Sequence, residues 1–294
     1  MSAFFDRLEE SRLKRQTVLC VGIDPRLEQI PDEIRSRAGN DVEQLLTRFG
    51  VELLDLVGEY AACVKPQIAF FEAHGLAGLR AYVAILAEAR RRGIAVIGDV
   101  KRGDIGSTAA AYAIGHLEPG SDFVVDALTL NPYLGADALE PFVRAAERGG
   151  KGIYVLVRTS NPGARDLQEL GVVPDGRMLY QHAAALVRRL GEAAGKGNAG
   201  YSPVGAVVGA TAPEAAEALR KELPDTAFLV PGYGAQGATA QDVAAGRRAG
   251  GGVMVVNASR SIIHPKLEGT TWRDAVVTAA RRAKEELHAA VSRS

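Results

Sequence analysis

Eight short apolar runs, with helix-patterned stretches between them, constrain the fold of this chain more than any other feature. They cover residues 18–24, 62–67, 94–100, 123–128, 153–157, 204–208, 228–231 and 253–257. Most are near-continuous in Val, Ile, Leu, Ala and Gly instead of alternating with polar residues. Both faces of such strands must be covered, as in a parallel sheet wrapped by helices. Segments such as 78–92 and 213–223 carry apolar residues at helical spacing with charges between them. Eight strand–helix units in 294 residues is the count of a closed barrel, so the expected fold is one (β/α)8 TIM barrel domain spanning residues 1–294. A doubly wound open sheet is the rival. One interval is too long for a plain connection. Residues 161–202 hold Pro162, Gly163, Pro174 and Asp175-Gly176 before a helix predicted near 178–192, and read as an extended loop after strand five.

Charge and cysteine usage narrow the function classes. Thirty-five Lys and Arg balance 35 Asp and Glu, which removes the general field that would favour nucleic acid or a membrane surface. Anion binding must therefore be local. Cys20 and Cys63 sit in apolar runs with no C-x-x-C pair, and the five histidines are scattered, so buried free thiols and no metal site are expected. The start of the chain turns charged at once, unlike a signal peptide, and no apolar run approaches the ~20 residues of a membrane span. A reducing cytoplasm is the expected compartment.

Asp24, Lys65, Asp99, Lys101, Ser160, Gln236 and Arg260 all fall at or just beyond the C-terminal ends of predicted strands. Barrel active sites are built on that face. In a regular strand residues two apart share a side, so Asp99 and Lys101 point the same way, and at a barrel mouth that way can be inward. A buried lysine beside a carboxylate keeps its proton more readily than a lone one. An isolated Asp-x-Lys is as readily an ordinary salt bridge. Lys65, ending the preceding strand, brings a second ammonium alongside. Such a cluster suits a reaction that develops negative charge on carbon and then needs a proton.

The stretch Asp99-Val100-Lys101-Arg102-Gly103-Asp104-Ile105-Gly106-Ser107-Thr108 resembles the signature of the orotidine 5′-phosphate decarboxylase family. The resemblance extends over Gly22-Ile23-Asp24-Pro25, Val64-Lys65-Pro66-Gln67, Asn131-Pro132-Tyr133-Leu134-Gly135, Arg158-Thr159-Ser160-Asn161-Pro162-Gly163, Val230-Pro231-Gly232-Tyr233-Gly234-Ala235-Gln236-Gly237 and Asn257-Ala258-Ser259-Arg260-Ser261-Ile262. The Asn131 and Thr159 motifs are similar to those of the longer bacterial, type 2 branch. Asp-x-Lys-x-x-Asp alone is shared with sugar-phosphate barrels; the full set is more specific.

The resemblance implies decarboxylation of orotidine 5′-phosphate to UMP without a cofactor. Lys101 is then the proton donor to C6 of the pyrimidine. Asp99 lies beside the departing carboxylate, and Lys65 and Asp104 complete an alternating array. Asp104 and Thr108 reach the site of a second subunit, which implies a homodimer with composite sites. Asp104 can also be read as a helix cap ahead of residues 105–112. Ser160 matches a serine that hydrogen-bonds the pyrimidine, with Thr159 a second candidate, although Thr159-Ser160-Asn161-Pro162-Gly163 is also plain turn chemistry. Asp24 matches a ribose-hydroxyl ligand, assisted by Gln67. Asn131 receives no role.

The phosphate expectation also has a physical basis. Barrels often hold phosphate on the loops after strands seven and eight, here residues 231–237 and 257–261. Glycines let backbone N–H groups approach an anion, and a following helix N-terminus favours negative charge. Arg260 offers a bidentate fork and Gln236 an amide. The rival functions are a metal-dependent sugar-phosphate aldolase or decarboxylase of the same superfamily, and a non-catalytic phosphate-binding barrel. The length leaves no room for a fused phosphoribosyltransferase, so a stand-alone enzyme is expected.

Overall fold

A computed structural model describes residues 3–234, 236–248, 251–267 and 269–292. Eight parallel strands run β1 Leu19–Ile23, β2 Cys63–Pro66, β3 Ile97–Arg102, β4 Ala127–Leu130, β5 Gly152–Arg158, β6 Val204–Val208, β7 Phe228–Val230 and β8 Met254–Ala258. Their order is β2-β1-β8-β7-β6-β5-β4-β3. The single bridges Val64–Val96 and Gln67–Asp99 join β2 to β3 and complete the ring. A doubly wound sheet would reverse its order at a switch point; this sheet returns to its start and is a TIM barrel.

The strands are buried on both faces because two cores meet there. Outside, aliphatic residues of β1 to β8 pack under the helices. Inside, Cys20, Cys63, Ile97, Tyr154, Leu229 and Val255 fill the barrel. The helix Phe4–Arg15 inserts Phe4, Phe5 and Leu8 into its N-terminal end, where Phe5 meets Tyr154 edge-on at 5.4 Å. The bulk of Tyr154 requires space across the ladder. Its register partner is Gly205, where a Cβ would lie 2.7 Å from the tyrosine ring. Large against small is how barrel layers fill. Cys20 and Cys63 are free, buried register partners on β1 and β2.

Two strands differ from expectation. The fourth, expected at 123–128, is Ala127–Leu130. Phe123 instead packs near Tyr82 and His116, at 6.2 and 6.1 Å, and Val125 N donates to His116 O, so this segment belongs to the helical layer. The third runs on to Arg102 through a register shift after Gly98. The long segment after β5 forms a 3-10 turn, Pro162–Asp166, and then the helix Leu179–Ala193. Buried Arg158 ties it back by donating to Glu169 Oε1 at 2.6 Å. No helix among the described residues is long and apolar enough to cross a membrane.

Candidate active site

The charged residues meet where β2 and β3 end. Asp99 points inward and is nearly buried, with a side chain 10% exposed. Lys65, 7% exposed, donates to its Oδ2 at 2.5 Å, and Lys101 donates to Oδ1. One carboxylate is thus held between two ammonium groups. Burial alone would push the Asp99 carboxyl up, but Lys65 and Lys101 outweigh it and hold it well below the usual carboxylate range. Burial likewise pulls Lys65 down, and the charges of Asp99 and Asp24 overcome it and hold the ammonium above the ordinary lysine value.

Lys101 reaches Asp99 by a different route from regular strand alternation. Its φ is +47°, the left-handed region that a non-glycine residue rarely adopts, and it sits in the register shift between Gly98 and Arg102. Thr129 on β4 holds this bulge. Its Oγ1 accepts from Val100 N and Lys101 N, each at 3.0 Å, and donates to Asp99 Oδ1 at 3.0 Å. Both lone pairs and the proton of one hydroxyl are used. The expectation of a buried Lys101 is corrected: its side chain is 46% exposed at the mouth, and the buried lysine is Lys65.

Beside this array lies a cavity of about 160 Å³ over the ends of β7, β8 and β1. Asp24, Gln236 and Arg260 line it together with Arg26 and His264, which sequence reasoning passed over. Asp24 Oδ2 accepts from Ser259, while its Oδ1 is buried with no hydrogen-bond partner among the described residues. An orphaned acceptor at a cavity wall suits a ligand hydroxyl. Gly232, at φ +107°, passes between Ser160 and Gln236; a Cβ there would lie 3.1 Å from Ser160 Cβ. Tyr233 anchors the same loop by donating to Glu286 Oε2 at 2.6 Å. His264 stacks on Phe49 at 5.6 Å, and burial lowers its pKa, opposed by its bond to the Asp24 backbone.

The helices that follow the two phosphate loops are short. The helix after β7, Ala240–Ala244, is capped by Thr239, whose side chain accepts from Asp242 N. The helix after β8 is the single turn Arg260–Ile263, too short for an appreciable macrodipole. The anion-binding features that remain are the Arg260 guanidinium, the Gln236 amide and the glycine backbone.

The other candidates separate. Thr159 is committed locally: its N–H donates to Gln168 Oε1 at 2.8 Å and its hydroxyl pairs with Asn161 and Gln168. Ser160 keeps its hydroxyl unpaired among the described residues, and its carbonyl accepts from Thr211 at 3.0 Å. Gln67 Oε1 accepts from Ala69 N, and Asn131 Oδ1 accepts from Tyr133 N, so both amides shape turns. Asp104 is not the cap of the next helix, which runs Gly106–Leu117 with Ile105 at its N-cap; Asp104 Oδ1 accepts from Ile105 N outside it. Among the described residues neither Asp104 nor Thr108 hydrogen-bonds to Lys65, Asp99 or Lys101, so one chain assembles three members of the expected four-residue array. No group of three or more His, Cys, Asp or Glu among the described residues is placed to hold a metal ion.

With this geometry in view, the relationships to known proteins are decisive. The family described as "Orotidine 5'-phosphate decarboxylase / HUMPS family" matches residues 17–275. The chain belongs to that family. It is 45% identical to the orotidine 5′-phosphate decarboxylase of Rhodopirellula baltica, over 98% of this chain and 99% of that one. The structure of Leishmania donovani OMP decarboxylase matches with a TM-score of 0.77 and 35% identity, covering 98% of each chain. The Leishmania donovani UMP synthase structure matches at 0.79 and 35% identity, but 99% of this chain corresponds to only 57% of that one.

Proposed function

We propose that this chain, as one barrel domain, decarboxylates orotidine 5′-phosphate to UMP, with its active site at the C-terminal face of the strands. It is a carbon–carbon lyase. The observation that carries the mechanism is Asp99 held between the ammonium groups of Lys65 and Lys101, next to a cavity lined by Arg260.

The bond from C6 of the pyrimidine to its carboxylate breaks, carbon dioxide leaves, and the electron pair stays on C6. Lys101 donates its proton to that carbon and is reprotonated from water. Its exposed position at the mouth suits this role, since the donor must reach the ligand and then recharge. Asp99, ionised and fixed, keeps Lys101 aimed and places negative charge beside the departing carboxylate. Lys65 holds Asp99 in place. Asp24 takes a ribose hydroxyl with Gln67 beside it, Ser160 takes the pyrimidine, and Gln236 and Arg260 take the phosphate. No cofactor is called on in any step.

Asp104 and Thr108 act on the site of a second copy. Large apolar side chains are exposed at Ile105 and Ile114, in and beside the helix that carries Thr108, and at Tyr133 and Leu134 after β4. Exposed apolar side chains of this size favour burial against a partner, and Asp104 supplies the missing fourth member across that contact. The implied compartment is the cytoplasm, which suits two free thiols side by side in the barrel.

The test is conversion of orotidine 5′-phosphate to UMP by purified protein in excess EDTA. Activity should persist with the chelator and vanish in Lys101→Ala; turnover surviving in that variant would sink the mechanism. Mixing Lys101→Ala with Asp104→Ala protein should restore part of the activity through heterodimers. No rescue, once subunit exchange is verified, would place Asp104 in its own chain's site or outside catalysis.

A further inference from the structure

Two guanidinium groups line the cavity at the ends of β7, β8 and β1. Arg260 follows β8, and Arg26 lies in the segment after β1. Neither has a hydrogen bond or ion pair from its side chain among the described residues. Most arginines of the chain are paired, as Arg158 is with Glu169 and Arg177 with Glu222. Arg26 is still held in position. Its guanidinium lies 5.5 Å from the ring centroid of Phe70, and Phe70 itself lines the cavity. A cation–π contact at this distance steadies Arg26 without pairing its charge or taking up its hydrogen bonds.

The local charges point to what is missing. Among the described residues, the only carboxylate lining the cavity is Asp24, close enough to act on Lys65. Lys65 and Lys101 are balanced by Asp99 and Asp24. Burial favours the neutral form of His264. Two uncompensated guanidinium charges remain on the cavity wall. A phosphate monoester carries a charge of about −1.5 to −2 near neutrality and offers three acceptor oxygens. A single arginine would leave that charge half met.

We propose that Arg26 is a second phosphate-binding residue, meeting the 5′-phosphate across the cavity from Arg260. This rests on the decarboxylase reading of the site. It makes the phosphate pocket a joint product of the β1 and β8 ends, instead of the β7 and β8 loops alone. Selectivity for nucleotide over nucleoside then depends on Arg26 as well as Arg260.

The test is calorimetric binding of UMP and of uridine to the intact wild-type protein, Arg26→Ala and Arg26→Lys. Arg26 is exposed and outside any strand or helix, so the variants should fold as wild type does. Arg26→Ala should weaken UMP binding by about tenfold or more, the scale of one lost charge-assisted contact, and leave uridine binding within about twofold of wild type. Arg26→Lys should fall between, since it keeps the charge and loses the fork. Equal losses for UMP and uridine, or no loss for either, would overturn the assignment. A folded wild-type protein that fails to bind UMP at all would overturn the decarboxylase reading, and this inference with it.

Discussion

The two ends of the barrel are built from the same strands and treat polar groups in opposite ways. At the N-terminal end, Asp6 accepts from Asn198 N at 3.0 Å and Ala199 N at 2.7 Å. Asp126 accepts from Val96 N at 3.0 Å while paired with Arg7 and Lys151. Between them the rings of Phe4 and Phe5 close the interior. At the C-terminal end, one oxygen of Asp24 is buried without a partner, Arg26 and Arg260 are unpaired among the described residues, and Lys101 holds a left-handed backbone. Strain and unmet hydrogen bonds lower stability, so a fold tolerates them where a ligand completes them. One end therefore serves the fold, and the other is the end at which we propose that the substrate binds.

Paired substitutions test this division most directly. Lys101→Ala should lower kcat by about a thousandfold or more, at or above the middle of the range for a lost general acid. The same change should shift stability by less than about 1 kcal/mol, because the side chain is half exposed and Asp99 keeps Lys65. Phe5→Ala should do the reverse. Deleting a fully buried ring is expected to cost about 3–5 kcal/mol in urea unfolding, with kcat and KM unchanged at a temperature where the variant stays folded. Similar effects of both substitutions on kcat would break the comparison.

A smaller effect separates the charged array from the helical layer around it. Asp99 and Lys65 hold their charges across the neutral range, since Asp99 is lowered and Lys65 raised. His116, on the helix Gly106–Leu117, is held down to about 4 by burial first and then by Arg102. Its folded-state pKa lies below the unfolded value of about 6.5. Its neutral form therefore stabilises the fold fully above that value, and the contribution is lost as pH falls toward 4. Unfolding free energy should drop by about 1–3 kcal/mol over this interval. In His116→Gln the slope should flatten there while kcat at neutral pH is retained. An unchanged slope would assign the acid sensitivity to other groups.

Much of this was legible in advance, for a physical reason. A strand buried on both faces must be apolar wherever it lies, so eight such runs could be counted without knowing their neighbours. The polar residues that interrupt them had to fall at strand ends, which placed Asp24, Lys65, Asp99, Lys101, Ser160 and Arg260 on one face. The fourth strand was misplaced because Phe123 is as apolar as a strand residue while packing among helices. Arg26 and His264 were missed because an arginine after a proline and a lone histidine carry no pattern of their own.

The sequence by itself determined the strand count and the family, and it gathered the candidate site residues at one end of the strands. Only the tertiary structure decided which of those polar groups found partners. Thr129 seats the Lys101 bulge from the neighbouring strand. Lys65, not Lys101, is the buried ammonium. Ser259 takes one oxygen of Asp24 across 235 residues of chain. Apolar patterning is a local property of a segment, whereas hydrogen-bond satisfaction depends on what the closed ring brings alongside, and that is unknown until the ring is closed.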